Sequence, residues 1–123
     1  MKSRLFWTSL LLALLVSAAP GKQSSIVGRW RYADAEKSCI LSFHNDGTFD
    51  GEVTDKSKTV WHFAGRWSLT GDTIHYEYTQ SSLKNIHTGI KDVDKLVEVT
   101  GDHLVIIASD GSRRKYERIG KSG

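Results

Sequence analysis

Cysteine occurs once in this chain, at Cys39, so no disulfide can form within it and the fold must hold by packing alone. Cys39 alternates with Leu41 and Phe43, the setting of a small buried side chain rather than of a nucleophile. No serine sits in a glycine elbow, which leaves a nucleophilic triad without support. Metal-ligand spacing is missing as well. His44, His62, His75 and His103 stand singly on four strand-like runs, with no cysteine or second histidine beside them, and read as solvated outer-face residues. Asp50, Glu52 and Glu77 are explained as cross-strand partners of basic residues. These absences argue against an enzyme, a metal centre and a resident cofactor, so no catalytic or metal-binding residue is assigned.

A clustered basic face is absent too. The whole chain carries a formal charge of +3, but Lys2 and Arg4 lie in the first 19 residues; beyond them 15 basic side chains stand against 14 acidic ones. Arg113-Arg114-Lys115 would split between the two faces of a strand, as on a solvated edge, so nucleic acid is not an expected partner. Long apolar runs are also missing. The longest, residues 5–16, falls well short of the roughly 20 residues that span a bilayer as a helix. Preceded by Lys2 and Arg4 and followed by Ser17, Ala18 and Ala19, it reads as a secretory signal peptide over residues 1–19, cut after Ala19 or Ala18. The expectation is a periplasmic or secreted protein without a stable membrane span.

What remains is roughly 100 residues, enough for one domain with a modest core. Residues 20–25 read as a flexible lead-in, 26–119 as the domain and 120–123 as a tail. At the centre stands Trp61-His62-Phe63-Ala64-Gly65-Arg66-Trp67-Ser68-Leu69, aromatic or apolar at most odd positions and mainly polar at even ones, the period of a half-buried strand. Thr70-Gly71-Asp72 turns it into a partner over 73–78. The same alternation predicts strands over 26–32, 38–44, 48–53, 95–100, 103–109 and 112–119. Asn45-Asp46-Gly47, Gly101-Asp102 and Asp110-Gly111 supply tight turns, and the polar stretch 54–58 supplies another. Residues 81–92 form the longest candidate loop and a candidate lid. Residues 104–108 are apolar throughout, which suggests a strand covered on both faces, with that loop as the cover. Gly28-Arg29-Trp30 is echoed by Gly65-Arg66-Trp67, as in a repeated hairpin unit; the glycine lets the strand bend and a ring lie across the vacated space. Eight short antiparallel strands joined by neighbouring turns predict an all-β up-and-down barrel, or else a strongly curved half-barrel.

Gly28-Arg29-Trp30 on the first strand of such a meander resembles the G-x-W signature of lipocalin-like (calycin) proteins. The run Leu41-Ser42-Phe43-His44-Asn45-Asp46-Gly47-Thr48-Phe49, followed by Gly65-Arg66-Trp67-Ser68-Leu69 and Gly71-Asp72, is similar to short bacterial lipocalin-like domains. The resemblance spans residues 26–119. It implies that Trp30 closes one end of the barrel under an arginine from the last strand, for which Arg118 is the first choice and Arg114 the second. True lipocalins are longer, with a deeper cup and usually a C-terminal helix.

An eight-stranded barrel is just wide enough to be filled by side chains or to hold one small ligand. Its interior would carry Trp30, Phe43, Phe49, Trp61, Phe63, Trp67, Tyr76 and Tyr78. Trp30, Trp67 and Arg118 are assigned to closure; Phe43, Trp61, Phe63, Tyr76 and Tyr78 are the candidate ligand-binding residues. The tyrosines lead that group, because a buried phenol needs a hydrogen-bond partner that a ligand could supply. Two functions follow from different classes: a binding protein for a small hydrophobic ligand, or a module on a filled barrel whose loops bind a protein partner.

Overall fold

In the computed structural model, residues 23–120 are described; the expected signal peptide, residues 20–22 of the expected lead-in and the last three residues of the expected tail lie outside them. The alternating pattern becomes eight strands: β1 (Gly28–Ala33), β2 (Lys37–Phe43), β3 (Thr48–Asp55), β4 (Lys58–Thr70), β5 (Thr73–Ser81), β6 (Lys91–Val99), β7 (His103–Ala108) and β8 (Arg113–Gly120). Each pairs antiparallel with its sequence neighbour. β8 returns to β1 through Trp30 opposite Arg118 and Arg31 opposite Glu117, so the sheet is a closed up-and-down barrel and not an open half-barrel. Closure removes the free edges of the sheet. Register shifts at Arg29/Trp30, Val53/Thr54, Ala64/Gly65 and Leu96/Glu98 supply the local bends that a small barrel needs.

Several elements run further than side-chain alternation indicated. β3 reaches Asp55 and β4 starts at Lys58, so the expected turn over 54–58 shrinks to Lys56 and Ser57, both at positive φ (52° and 72°). The expected 81–92 loop shrinks to 82–90, because β5 continues to Ser81 and β6 begins at Lys91. At this rim both sheet faces meet water, so backbone pairing extends without an apolar face to signal it. At the other end, residues 23–26 form a helical turn where a flexible lead-in was expected, and Ile26 belongs to that turn rather than to the first strand. Ile26 is fully buried, and its carbonyl accepts the Trp30 indole N–H at 2.8 Å.

That end is sealed. The Arg118 guanidinium lies 4.2 Å from the centre of the Trp30 ring and donates to three carbonyls: Nε to Gly101 (2.7 Å), Nη1 to Val27 (3.0 Å) and Nη2 to Ser25 (2.9 Å). One side chain thereby joins β8, the β6–β7 turn and the segment ahead of β1, by stacking and charge-assisted hydrogen bonds together. Gly28, at φ 146°, leaves room for it, since a Cβ there would collide with Arg118 Nη1. Gly65 serves the second copy of the motif differently: a Cβ would strike the Glu77 carbonyl and the Phe49 ring, which lies over it. Trp67 completes the closure, donating its indole N–H to the His44 carbonyl (3.1 Å) and meeting Phe43 edge-on at 4.9 Å.

Val105, on β7, is buried although it lies outside the main core cluster; its register neighbours are Glu98 and Lys115. The 82–90 loop is tied to β4 and β5 instead, through Ser82 N–H to the His62 carbonyl and Gly89 N–H to the Tyr78 carbonyl.

Trp30→Ala should cost about 3–5 kcal/mol, as for other fully buried aromatic truncations, and a thermal melt within error of the parent would remove Trp30 from the core. In the opposite direction, replacing Lys56-Ser57 by Asn-Gly should stabilise by about 1 kcal/mol, because those residues tolerate left-handed geometry. In a domain of this size that raises Tm by about 4–8 °C, readable in the same melt.

Candidate functional site

From the sealed end the rings run upward in contact. Phe43 approaches Tyr76 (6.1 Å between ring centres), Tyr76 meets Phe49 edge-on (5.2 Å), and Phe49 meets Tyr78 (5.8 Å) and Phe63 (6.1 Å). Trp61 finishes the column, 4.3 Å from Phe63 and 6.0 Å from Tyr78. The column does not fill the barrel. At the end opposite Arg118 it leaves a cup of ≈ 310 Å³, within the roughly 300–1,000 Å³ of small-molecule sites.

Four of the five candidate ligand-binding residues, Trp61, Phe63, Tyr76 and Tyr78, line this cup. Phe43 does not. It is fully buried under the floor, packed on Trp67, and belongs with the closure residues. The difference arises because alternation identifies the inward face but not the height along the barrel. Trp61 and Tyr78 are the accessible pair: Trp61 is half-buried, with its indole N–H held by Ser81 Oγ at 2.9 Å, and Tyr78 is half-buried beside it. Tyr76 is 7 % exposed and donates its hydroxyl to Asp94 Oδ2 at 2.7 Å, so its phenol already has a partner within the fold.

Asp94 was not among the expected site residues, and it changes the character of the cup. Asp92 and Asp94 occupy the same face of β6 as the buried Leu96, while Val93 between them points outward, 42 % exposed. The signal was the period of two running backwards from Leu96, hidden because Asp92 reads as the end of a polar loop. Burial pushes the Asp94 carboxyl above its ordinary pKa; the Tyr76 hydrogen bond opposes this, the charge of Asp92 adds to it, and Arg114 opposes more weakly. Tyr116, Arg114 and Cys39 complete this polar wall. Arg114 interacts electrostatically with Tyr116 and faces Asp110 at 3.9 Å. Burial raises the Cys39 thiol pKa to about 11, with Tyr116 opposing it, so the thiol stays protonated at neutral pH, without nucleophilic character.

The histidines lie elsewhere. His44 pairs with Asp50 (2.7 Å), His62 with Glu52 (3.7 Å) and His103 with Glu98 (3.3 Å), none of them in the cup. The chain matches no family model, no curated protein and no solved structure.

Burial raises the pKa of Tyr78 to about 12 and moves Tyr76 and Tyr116 upward as well, with nearby acidic groups adding to the effect. Neutral phenols are thus favoured by folding: their contribution is fully present below the unfolded value of about 10 and is lost as pH rises through the folded values. An alkaline titration followed by tyrosinate absorbance and circular dichroism should show these phenols ionising above the ordinary value of about 10, alongside loss of structure. Ionisation of all three near pH 10 in a folded barrel would contradict their placement.

Proposed function

We propose that this is an exported, lipocalin-like binding protein without enzymatic activity, working in the periplasm or outside the cell, that takes a small and largely apolar molecule into the cup. The observation that carries this reading is the ≈ 310 Å³ cavity walled by Trp61, Phe63 and Tyr78 above a floor already packed by Phe43 and Phe49. Desolvating an apolar ligand against these rings would stabilise the complex by about 25 cal/mol per Å² of apolar surface buried, before the cost of association. Trp61 and Tyr78 supply flat faces whose orientation is fixed by neighbouring rings and, for Trp61, by the bond to Ser81. The 82–90 loop stands beside them, tied to β4 and β5, and would form the rim over a bound molecule.

Native mass spectrometry of the protein purified from its own compartment, without refolding, tests this directly. The expected result is a reproducible small-molecule adduct. Tyr76 is too deeply packed for truncation to report on binding alone, so Val53→Trp is the better control: Val53 lines the cup, and the added indole should abolish the adduct while the barrel stays folded. An adduct that survives in folded Val53→Trp would move the ligand out of the cup. A clean mass for the parent would favour a protein-binding module, with the exposed Leu83 and Ile90 of the 82–90 loop as its first contacts.

A further inference from the structure

The apolar wall of the cup adjoins a wall of the opposite character across β5, through Tyr76 and Tyr78. On one flank of β5 stand Trp61 and Phe63; on its other flank Asp92 and Asp94 reach the same cavity from β6. Resting on the proposed binding role, we infer that the cup selects an organic cation: a molecule with a flat or aliphatic body for the rings and an ammonium-like group for Asp94 and Asp92.

Charge balance favours this sign. Asp34, Asp92, Asp94 and Asp110 line the cup against Lys37 and Arg114, an excess of two negative charges. The two cationic side chains do not cancel it where the ligand would sit. Arg114 faces Asp110 at 3.9 Å, and Lys37 is exposed at the rim. Three of the four aspartates accept backbone N–H groups: Asp34 from Glu36 and Lys37, Asp92 from Val93 through Oδ1, and Asp110 from Ser112, whose hydroxyl it accepts as well. Asp94 differs. Half-buried, it accepts the Tyr76 hydroxyl through Oδ2, and a carboxylate has further lone pairs to offer a charged donor.

Its surroundings act in the same direction. Asp92 disfavours the charged form of Asp94 and Arg114 only partly offsets it, a repulsion that a bound cation would relieve. Trp61, Phe63 and Tyr78 meet one another at 4.3, 6.0 and 5.9 Å and present π-faces that also attract cations. A neutral apolar ligand would use the rings and leave the carboxylates desolvated; a carboxylate ligand would meet repulsion.

Three probes of matched shape separate these cases on the purified protein: phenylpropylammonium, phenylpropanol and phenylpropanoate, titrated by calorimetry. The ammonium should bind about tenfold tighter than the alcohol or better, and the carboxylate weakest of the three. Asp94→Asn should bring the ammonium down to the level of the alcohol while leaving the alcohol unchanged. Asp92→Asn, a rim change that disturbs no core contact, should give a smaller loss of the same kind. Equal affinities for ammonium and alcohol would overturn charge selection and leave the apolar cup standing. Tightest binding by the carboxylate would overturn it in favour of Arg114 as the anchor. If none of the three binds, both this inference and the binding role fall.

Discussion

The Arg118 guanidinium over the Trp30 indole is the contact on which the rest of the barrel depends. A short up-and-down barrel has two open ends, and water entering both would leave no dry core. Here one side chain seals an end by holding three carbonyls that belong to the segment before β1 and to the β6–β7 turn. An ammonium in its place would lose the planar stack and the forked geometry, so the site calls for arginine in particular. Gly28 is a consequence of the same contact, since its missing side chain is the space the guanidinium uses. With that end dry, Ile26, Phe43, Leu104 and Ile106 are almost fully excluded from solvent, and the other end is free to remain open.

The interior then grades along the barrel axis. Near the seal the rings touch on every side, as between Phe43 and Trp67; towards the rim Trp61, Tyr78 and Tyr32 are packed on one side only. The polar wall belongs to this wetter half. Asp94, Tyr116 and Arg114 are partnered with one another's neighbours rather than with solvent alone, and no side-chain polar atom buried among the described residues lacks a partner. A cavity of this kind is neither a packing defect nor a channel. It is where a tapering set of side chains stops while the strands continue.

Much of this was legible in the residues, and the limits follow from what alternation encodes. A period of two states which side chains point inward, so Trp30, Trp67 and the aromatic column of β3, β4 and β5 were readable, as were the tight turns. The plug was readable through the repeated Gly-Arg-Trp motif and its resemblance, with Arg118 preferred to Arg114. Height along the axis is not encoded by alternation, so Phe43 was grouped with the cup although it lies beneath it. Nor does alternation distinguish an inward polar residue from a loop residue. Asp92 and Asp94 face inward where water can still reach them, so they lack the apolar signature of a core position, and the register that places them is fixed by pairing with β5 and β7. The strand extensions at the rim were hidden for the same reason: backbone hydrogen bonds form there without an apolar side to mark them.

The aspartates themselves divide into two physical groups. Asp34, Asp46 and Asp110 each accept backbone N–H groups within a turn, which lowers their carboxyl pKa values; their favourable effect is present above the unfolded value and fades as pH falls through the folded one. Asp94 has the opposite sign. Burial raises its pKa, so folding favours its protonated form, and stability is lost as pH rises from the unfolded value through the raised one. The turn carboxylates are explained by the loops they fasten. Asp94 partners the Tyr76 hydroxyl, but at a desolvation cost that an apolar pair at these two positions would avoid. Of Asp92 and Asp94, which share the inward face of β6, it is Asp94 whose charged form burial disfavours, and it stands in the same cavity as the accessible rings; a departure from good packing at that position fits the proposed binding role.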